Sequence, residues 1–264
     1  MSDIDLILEG WSVGMDQGNA AFCGVTLIRG ATKNILVDVA HVGRRSLLVE
    51  NLARAGLTPS DIDTVVLTHT HWDHVLNADV FKNAEFLLHP NEIEYAKAPH
   101  PRDWATPEYT WSILERCNIR EVREGDLVDE GIRVIATPGH TRGSISLVVE
   151  QPDGSIAVCG DALPNAATAL AGCPYLIFWD EEDAKSSARK ILDAAEVLYP
   201  GHDRPFRIAG GRASYLQAPS QITVTAGLDA NGLPVSVTLV PGAPRALQVE
   251  GLAVEHRAAR AATV

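Results

Sequence analysis

Cysteine is scarce in this chain. There are four residues in 264, Cys23, Cys117, Cys159 and Cys173, and no Cys-x-x-Cys pair. That disfavours a disulfide scaffold and makes a reducing, cytoplasmic setting the expectation. No stretch approaches the roughly 18 uninterrupted apolar residues that a membrane span needs. The opening Met1-Ser2-Asp3-Ile4-Asp5 has no basic segment leading into an apolar one, so no secretory signal is expected. Lysine is scarce too, with five beside seventeen arginines. Against 34 acidic residues these leave a net charge of −12. Such a field repels polyanions, so neither nucleic acid nor an anionic membrane is an expected partner. Hydrophobic residues at 46% and charged residues at 21% are ordinary for a globular chain, long enough for one or two domains.

Short β-branched runs punctuate the first two hundred residues. Ile4–Leu8, Val25–Ile28, Ile35–Val39, Thr64–Thr68, Phe86–His89, Ile132–Ala136, Ile145–Glu150, Ile156–Cys159 and Val197–Tyr199 read as strands. Arg44–Ala55 reads as a helix closed by Gly56, Asn91–Ala98 as a second, and Pro107 opens a third toward Cys117. Asp180–Ala195 reads as a helix with an acidic first turn. The segment 99–107 holds three prolines and reads as a loop. After about residue 210 the texture changes. Ile222–Ala226 and Val235–Leu239 alternate around Asn231-Gly232, a hairpin signal, and Leu247–Val254 offers a third strand before an Ala/Arg-rich tail.

The chemistry is concentrated in the histidines, of which there are nine. His69-Thr70-His71-Trp72-Asp73-His74 puts three imidazoles and a carboxylate within six residues, directly after a buried strand. These are ligand types for zinc and related divalent ions. Thr137-Pro138-Gly139-His140, Cys159-Gly160-Asp161 and Tyr199-Pro200-Gly201-His202 each put another such residue just past an apolar run. Seven candidates are too many for one tetrahedral zinc and suit two metals that share a carboxylate and a water.

His69-x-His71-x-Asp73-His74 followed by His140, Asp161 and His202 resembles the metallo-β-lactamase superfamily, over roughly residues 4–210. The resemblance implies an αββα sandwich, a layered α/β fold with the site at one edge. It implies one metal on His69, His71 and His140, a second on Asp73, His74 and His202, with Asp161 bridging. Asp38 matches the early aspartate that supports such a site. The branch that hydrolyses β-lactams with a cysteine ligand carries that cysteine where this chain has Asp161, so an antibiotic-hydrolysing role is not expected. Cys159 reads instead as a small buried hydrophobe. Pro200-Gly201-His202-Asp203-Arg204-Pro205-Phe206 is similar to the ending of a small subgroup of metallo-β-lactamase-domain proteins, within which RNA cleavage has been proposed. Glyoxalase II, N-acyl-homoserine lactonases and persulfide dioxygenases share the ligand set.

The expectation is a catalytic domain over 1–210, with 211–264 a β-rich extension and tail packed on it. The expected activity is dinuclear hydrolysis, a metal-bridging hydroxide attacking an ester, thioester or lactone of a small molecule, with Asp73 taking up and returning the proton. A phosphodiesterase or RNase, and a mononuclear-iron enzyme like persulfide dioxygenase, are the alternatives. The cofactor expected is a pair of divalent ions, zinc foremost, with iron or manganese as substitutes. Imidazoles bind metal only when neutral, so activity should fall below about pH 6. The aromatic residues of 89–117 either face the substrate or only pack that segment, and Tyr175, Phe178 and Trp179 pose the same choice. His41 reads as a surface residue near the site. Residues 211–264 read equally as an element for homodimerisation or for lidding a neighbour's site, and as cover for a sheet edge.

Overall fold

A computed structural model describes residues 2–16, 18–228 and 231–239. The strand expected at 247–254 and the tail 256–264 lie outside the described residues. The first half runs β1 (Asp3–Leu8), β2 (Trp11–Met15), β3 (Gly18–Phe22), β4 (Val25–Arg29), β5 (Asn34–Val37), α1 (Arg45–Arg54), β6 (Thr64–Val66), α2 (Trp72–Val75), β7 (Glu85–Leu88), α3 (Pro90–Lys97), α4 (Tyr109–Leu114) and β8 (Asn118–Glu121). The second half runs β9 (Leu127–Asp129), β10 (Ile132–Ala136), β11 (Ile145–Val149), β12 (Ile156–Gly160), α5 (Ala166–Ala171), α6 (Glu181–Ala194), β13 (Val197–Pro200), β14 (Phe206–Ala209) and β15 (Arg212–Tyr215). A hairpin of β16 (Ile222–Leu228) and β17 (Pro234–Leu239) follows.

Two large sheets form among the described residues, in the orders β1-β4-β5-β6-β7-β8 and β15-β14-β13-β12-β11-β10-β9. Side-chain alternation explains why they stack as the inner layers of an αββα sandwich. On β5 and β7, Ile35, Val37 and Leu87 face the second sheet, where they meet Val134, Leu147 and Val158. Leu36, Phe86 and Leu88 point the other way, onto Leu48, Leu52, Ile93 and Leu114 of the helical layer. The second sheet repeats the pattern. Ile135, Val148, Ala157 and Cys159 pack outward against Ala166, Ala188 and Ile191 of α5 and α6. Strands buried on both faces read as continuous apolar runs, which is why they were visible in the sequence. Cys159 is fully buried in this outer layer.

Several elements carry no such signal. The β2–β3 hairpin is rich in Gly, Ala and Asn, which are poor strand formers. The strands β8, β9, β14 and β15 and the helix α5 are three to six residues long. The helix expected from Pro107 is shorter, Tyr109–Leu114, with Pro107 accepting the Thr110 N–H. The second sheet continues past residue 210 to Tyr215. The β16–β17 pair forms a two-stranded sheet of its own, with Val224, Leu228, Leu233 and Val237 exposed.

Neighbouring strands β5 and β6 run parallel, as do β12 and β13. The loops after β5, β6, β12 and β13 therefore open on one edge, and the loop after β10 joins them. The Ile145 N–H donates to the Thr68 carbonyl and ties the two sheets there. Loops at strand C-termini are where α/β proteins place their sites.

Candidate metal centre

All seven predicted residues come together at this edge. His69, His71, Asp73, His74, His140 and Asp161 are buried and His202 is half-buried. One ligand atom from each of His69, His71, His140 and Asp161 lies within 4.8 Å of the others, and Asp73, His74 and His202 form a second such group. His71 Nδ1 is 3.0 Å from His140 Nε2. Asp161 lies between the groups: Oδ2 is 3.4 Å from His140 Nε2 and 3.1 Å from His202 Nε2, while Oδ1 is 3.5 Å from His74 Nε2.

Each imidazole is oriented by an acceptor on its outer nitrogen. The Thr68 hydroxyl spends its one hydrogen on Asp38 Oδ2 at 2.8 Å. Its contact with His69 Nδ1 at 3.0 Å therefore requires the ring to donate. His140 Nδ1 meets the Leu176 carbonyl at 2.8 Å, and His202 Nδ1 meets the Phe22 carbonyl at 3.2 Å. His74 Nδ1 lies 2.7 Å from Asp38 Oδ2, and His71 Nε2 lies 3.2 Å from Asp103 Oδ2. With the outer nitrogen donating, a ring that is neutral keeps its lone pair on the inner nitrogen, Nε2 in four rings and Nδ1 in His71. Metal-binding histidines are held in this way.

The inner atoms are short of partners. His69 Nε2, His74 Nε2, Asp73 Oδ2 and Asp161 Oδ1 are buried with no hydrogen bond. Orphaned buried polar atoms are rare, and four of them spread over two adjoining groups fit a divalent metal pair. Glycine makes this packing feasible at one position above others. A Cβ on Gly201 would come within 2.0 Å of Asp161 Oδ1.

The backbone under Asp38 is strained. Asp38 (φ 59°) and Ala40 (φ 58°) are left-handed non-glycine residues, worth about 1–3 kcal/mol each. The Val39 N–H donates to the His74 carbonyl, and Asn77 Nδ2 donates to the Val39 and His41 carbonyls, so the turn is over-determined. That turn aims Asp38 at Thr68 and His74.

The electrostatics divide the histidines. Burial, reinforced by the other imidazoles, holds His69 well below the usual imidazole range. Burial and the neighbouring His71 take His140 down to about 4. Burial also opposes charge on His74, but the carboxylates of Asp38, Asp73 and Asp161 outweigh it and raise that ring to about 10. His202 is raised for the same reason, with Asp161 overcoming burial. Burial pushes Asp161 up, and the His202 and His74 cations more than reverse that.

Sequence reasoning missed Asp103 and Glu92. Asp103 is buried in the 99–107 loop and accepts from Tyr95 Oη at 2.8 Å, Thr106 Oγ1 at 2.9 Å and the Ala105 N–H at 2.8 Å. A carboxylate among prolines carries no sequence signal. Of the aromatic residues, Tyr95 is a buried packing residue and Trp111 packs on the first core under Lys97. Phe178 lies at the site, its ring 5.0 Å from His71 and 5.7 Å from His140. Trp104 and Trp179 stay half-exposed beside it, Trp104 at 6.1 Å from Phe178 and Trp179 at 6.4 Å from Tyr95. The Tyr175 hydroxyl meets Ser12 Oγ at 3.2 Å. His41 is half-buried rather than on the surface, between Phe22 and Trp72, and caps the Gly43 N–H. His89 and His100 cap local N–H groups, and His256 lies outside the described residues.

The profile of the metallo-beta-lactamase superfamily matches residues 18–202. A Xenopus laevis protein named metallo-beta-lactamase domain-containing protein 1 is 34% identical over 209 residues, covering 78% of this chain and 81% of its own. The N-acyl homoserine lactonase of Bacillus thuringiensis is 27% identical over 164 residues, covering 59% of this chain and 62% of its own. A dizinc quorum-quenching lactonase solved with a product is similar in fold, with a TM-score of 0.59 at 17% identity over 75% of this chain and 79% of that one.

Proposed function

This chain belongs to the metallo-β-lactamase superfamily and is a metal-dependent hydrolase; from that premise we propose that it opens the acyl–oxygen or acyl–sulfur bond of a small lactone, ester or thioester. The observation that carries the reading is the clustering of buried ligand atoms into two adjoining groups, with His69, Asp73, His74 and Asp161 each keeping an inner atom without a hydrogen bond. His69, His71 and His140 would hold one divalent ion, and Asp73, His74 and His202 the other. Asp161 would serve both. Imidazole and carboxylate donors suit zinc, with iron or manganese as substitutes. When bound, such a pair supplies Lewis acidity and a water acidic enough to react near neutral pH.

The chain's own residues supply the rest. The Asp73 carboxylate, with Oδ2 free of hydrogen bonds and 3.4 Å from His202 Nε2, is the group placed to take up and return a proton. Phe178, Trp104 and Trp179 offer an apolar wall beside the centre, suited to the body of an acyl substrate. Likeness to the two lactonases supports an acyl substrate over a phosphodiester. The net charge of −12 points the same way, since a polyanion approaches against that field.

Metal quantification on the purified protein, followed by a panel of lactones, thioesters and phosphodiesters, tests this. Two zinc ions per chain and lactone or thioester hydrolysis lost on chelation and restored by zinc are the expected results. Phosphodiester cleavage alone, or a single iron with an oxidised product, would overturn it.

A further inference from the structure

Glu92 is a carboxylate in the first turn of α3, only 1% exposed and with no cation bonded to it. Burying a charge this way costs several kcal/mol unless its lone pairs are all used. Here they are. Oε1 accepts the Thr70 N–H and the Thr70 hydroxyl, both at 2.8 Å. Oε2 accepts the Thr141 hydroxyl and the Gly143 N–H, also both at 2.8 Å. Thr70 stands between His69 and His71, and Thr141 directly follows His140. The two oxygens of one side chain therefore grip the loop after β6 and the loop after β10.

The approach is deliberate at the backbone level. A Cβ on Gly143 would meet the Glu92 nitrogen at 2.1 Å, so only glycine lets the loop after β10 lie against the start of α3. Tyr95, one turn along α3, donates to Asp103, which in turn bonds His71 Nε2. The four bonds to Glu92 flank His69, His71 and His140 and none reaches Asp73, His74 or His202.

We propose that Glu92 is a positioning residue that sets the spacing of the His69–His71–His140 triad and so governs affinity at that one metal position. The proposal rests on the ligand assignment above. Its geometry requires four acceptor sites. In Glu92→Gln one oxygen becomes an amide that can only donate, so one of the two loops is released.

The test is zinc titration of the full chain, by calorimetry and by competition with a chromophoric chelator, resolved into its two steps. Glu92→Gln should weaken one step by about 10- to 100-fold, the range for partners that orient a ligand, and leave the other within about threefold. Thr141→Val removes one of the four donors and should weaken the same step by less. Thr141→Ser keeps the hydroxyl and should restore it. Cobalt substitution gives a second readout, since only one of two absorption steps should be lost. Equal weakening of both steps, or an unchanged titration in a protein that still melts cooperatively, would overturn the proposal. If Glu92→Gln does not fold, the Thr141→Val and Thr141→Ser pair decides by the same criteria. Wild-type protein that takes up fewer than two ions overturns the ligand assignment and the proposal together. Two ions in wild type with an unchanged Glu92→Gln overturns only the proposal.

Discussion

The two halves of the centre use the same side chain in opposite electrostatic states. His69 and His140 are oriented by neutral groups, the Thr68 hydroxyl and the Leu176 carbonyl, and burial keeps both rings uncharged near neutral pH. His74 and His202 sit among Asp38, Asp73 and Asp161, and those carboxylates raise both rings, His74 to about 10. The difference shows how this fold can exist before metal arrives. Three buried carboxylates at one edge need positive charge. A proton on His74 provides it until an ion replaces it, with His202 shifted in the same direction. The first half also buries carboxylates, Asp103 against His71 and Glu92 behind the loops, but there N–H and O–H donors from Thr70, Tyr95, Ala105, Thr106, Thr141 and Gly143 supply the compensation.

The largest expected effect comes from removing the group the halves share. Asp161→Ala should abolish uptake of both ions and lower kcat/KM on the order of 10³-fold or more, as loss of a principal electrostatic group does. Atomic absorption on the purified variant checks it. Full retention of one ion would mean that the halves are independent and that Asp161 serves only one. Next come the two outer carboxylates. Asp103→Asn should weaken metal binding at the His71 half, and Asp38→Asn at the His74 half, each by about 10- to 100-fold. A stepwise zinc titration should show each variant altering a different step. If both variants alter the same step, the division into halves fails.

These two carboxylates also mark how far the sequence could be read. The seven candidate ligands were legible because each is a metal-binding residue type set just beyond a β-branched run, and buried strands of a layered sheet write themselves as such runs. Asp38 was found only through family resemblance, since its role depends on a left-handed turn held by Asn77 and His74. Asp103 and Glu92 were missed because their function lies in which N–H and O–H groups the folded loops bring to them. The β2–β3 hairpin was missed for its composition, yet it delivers the Phe22 carbonyl beneath His202. A backbone acceptor has no residue type, so nothing in the sequence announces it. The helical and sheet layers were legible where side chains alternate between cores, as Leu36 against Ile35 and Val37 does, and illegible where strands shrink to three or four residues.

The smallest expected effect is the finest probe of the contrast between the halves. An unfolded imidazole titrates near 6.5, and His74 in the metal-free fold titrates near 10. A group raised in this way stabilises the fold fully below about pH 6.5 and loses that contribution as pH rises through 10. Across that interval an incoming ion must displace its proton. His140, lowered to about 4, is already neutral there. Zinc uptake followed calorimetrically at pH 7.5, in buffers of differing ionisation enthalpy, should therefore release about one proton or more in the step belonging to Asp73, His74 and His202. The step belonging to His69, His71 and His140 should release fewer, since His69 and His140 are both held low. Raising the pH from 7 to 9 should tighten the first of these steps by about tenfold per unit for each proton displaced, and the second by less. Asp38→Asn removes the carboxylate nearest His74 Nδ1 and should shrink the proton release while also weakening the bound ion. Equal release in both steps would show that the carboxylates do not separate the halves, and that protons hold the metal-free centre together as a single unit.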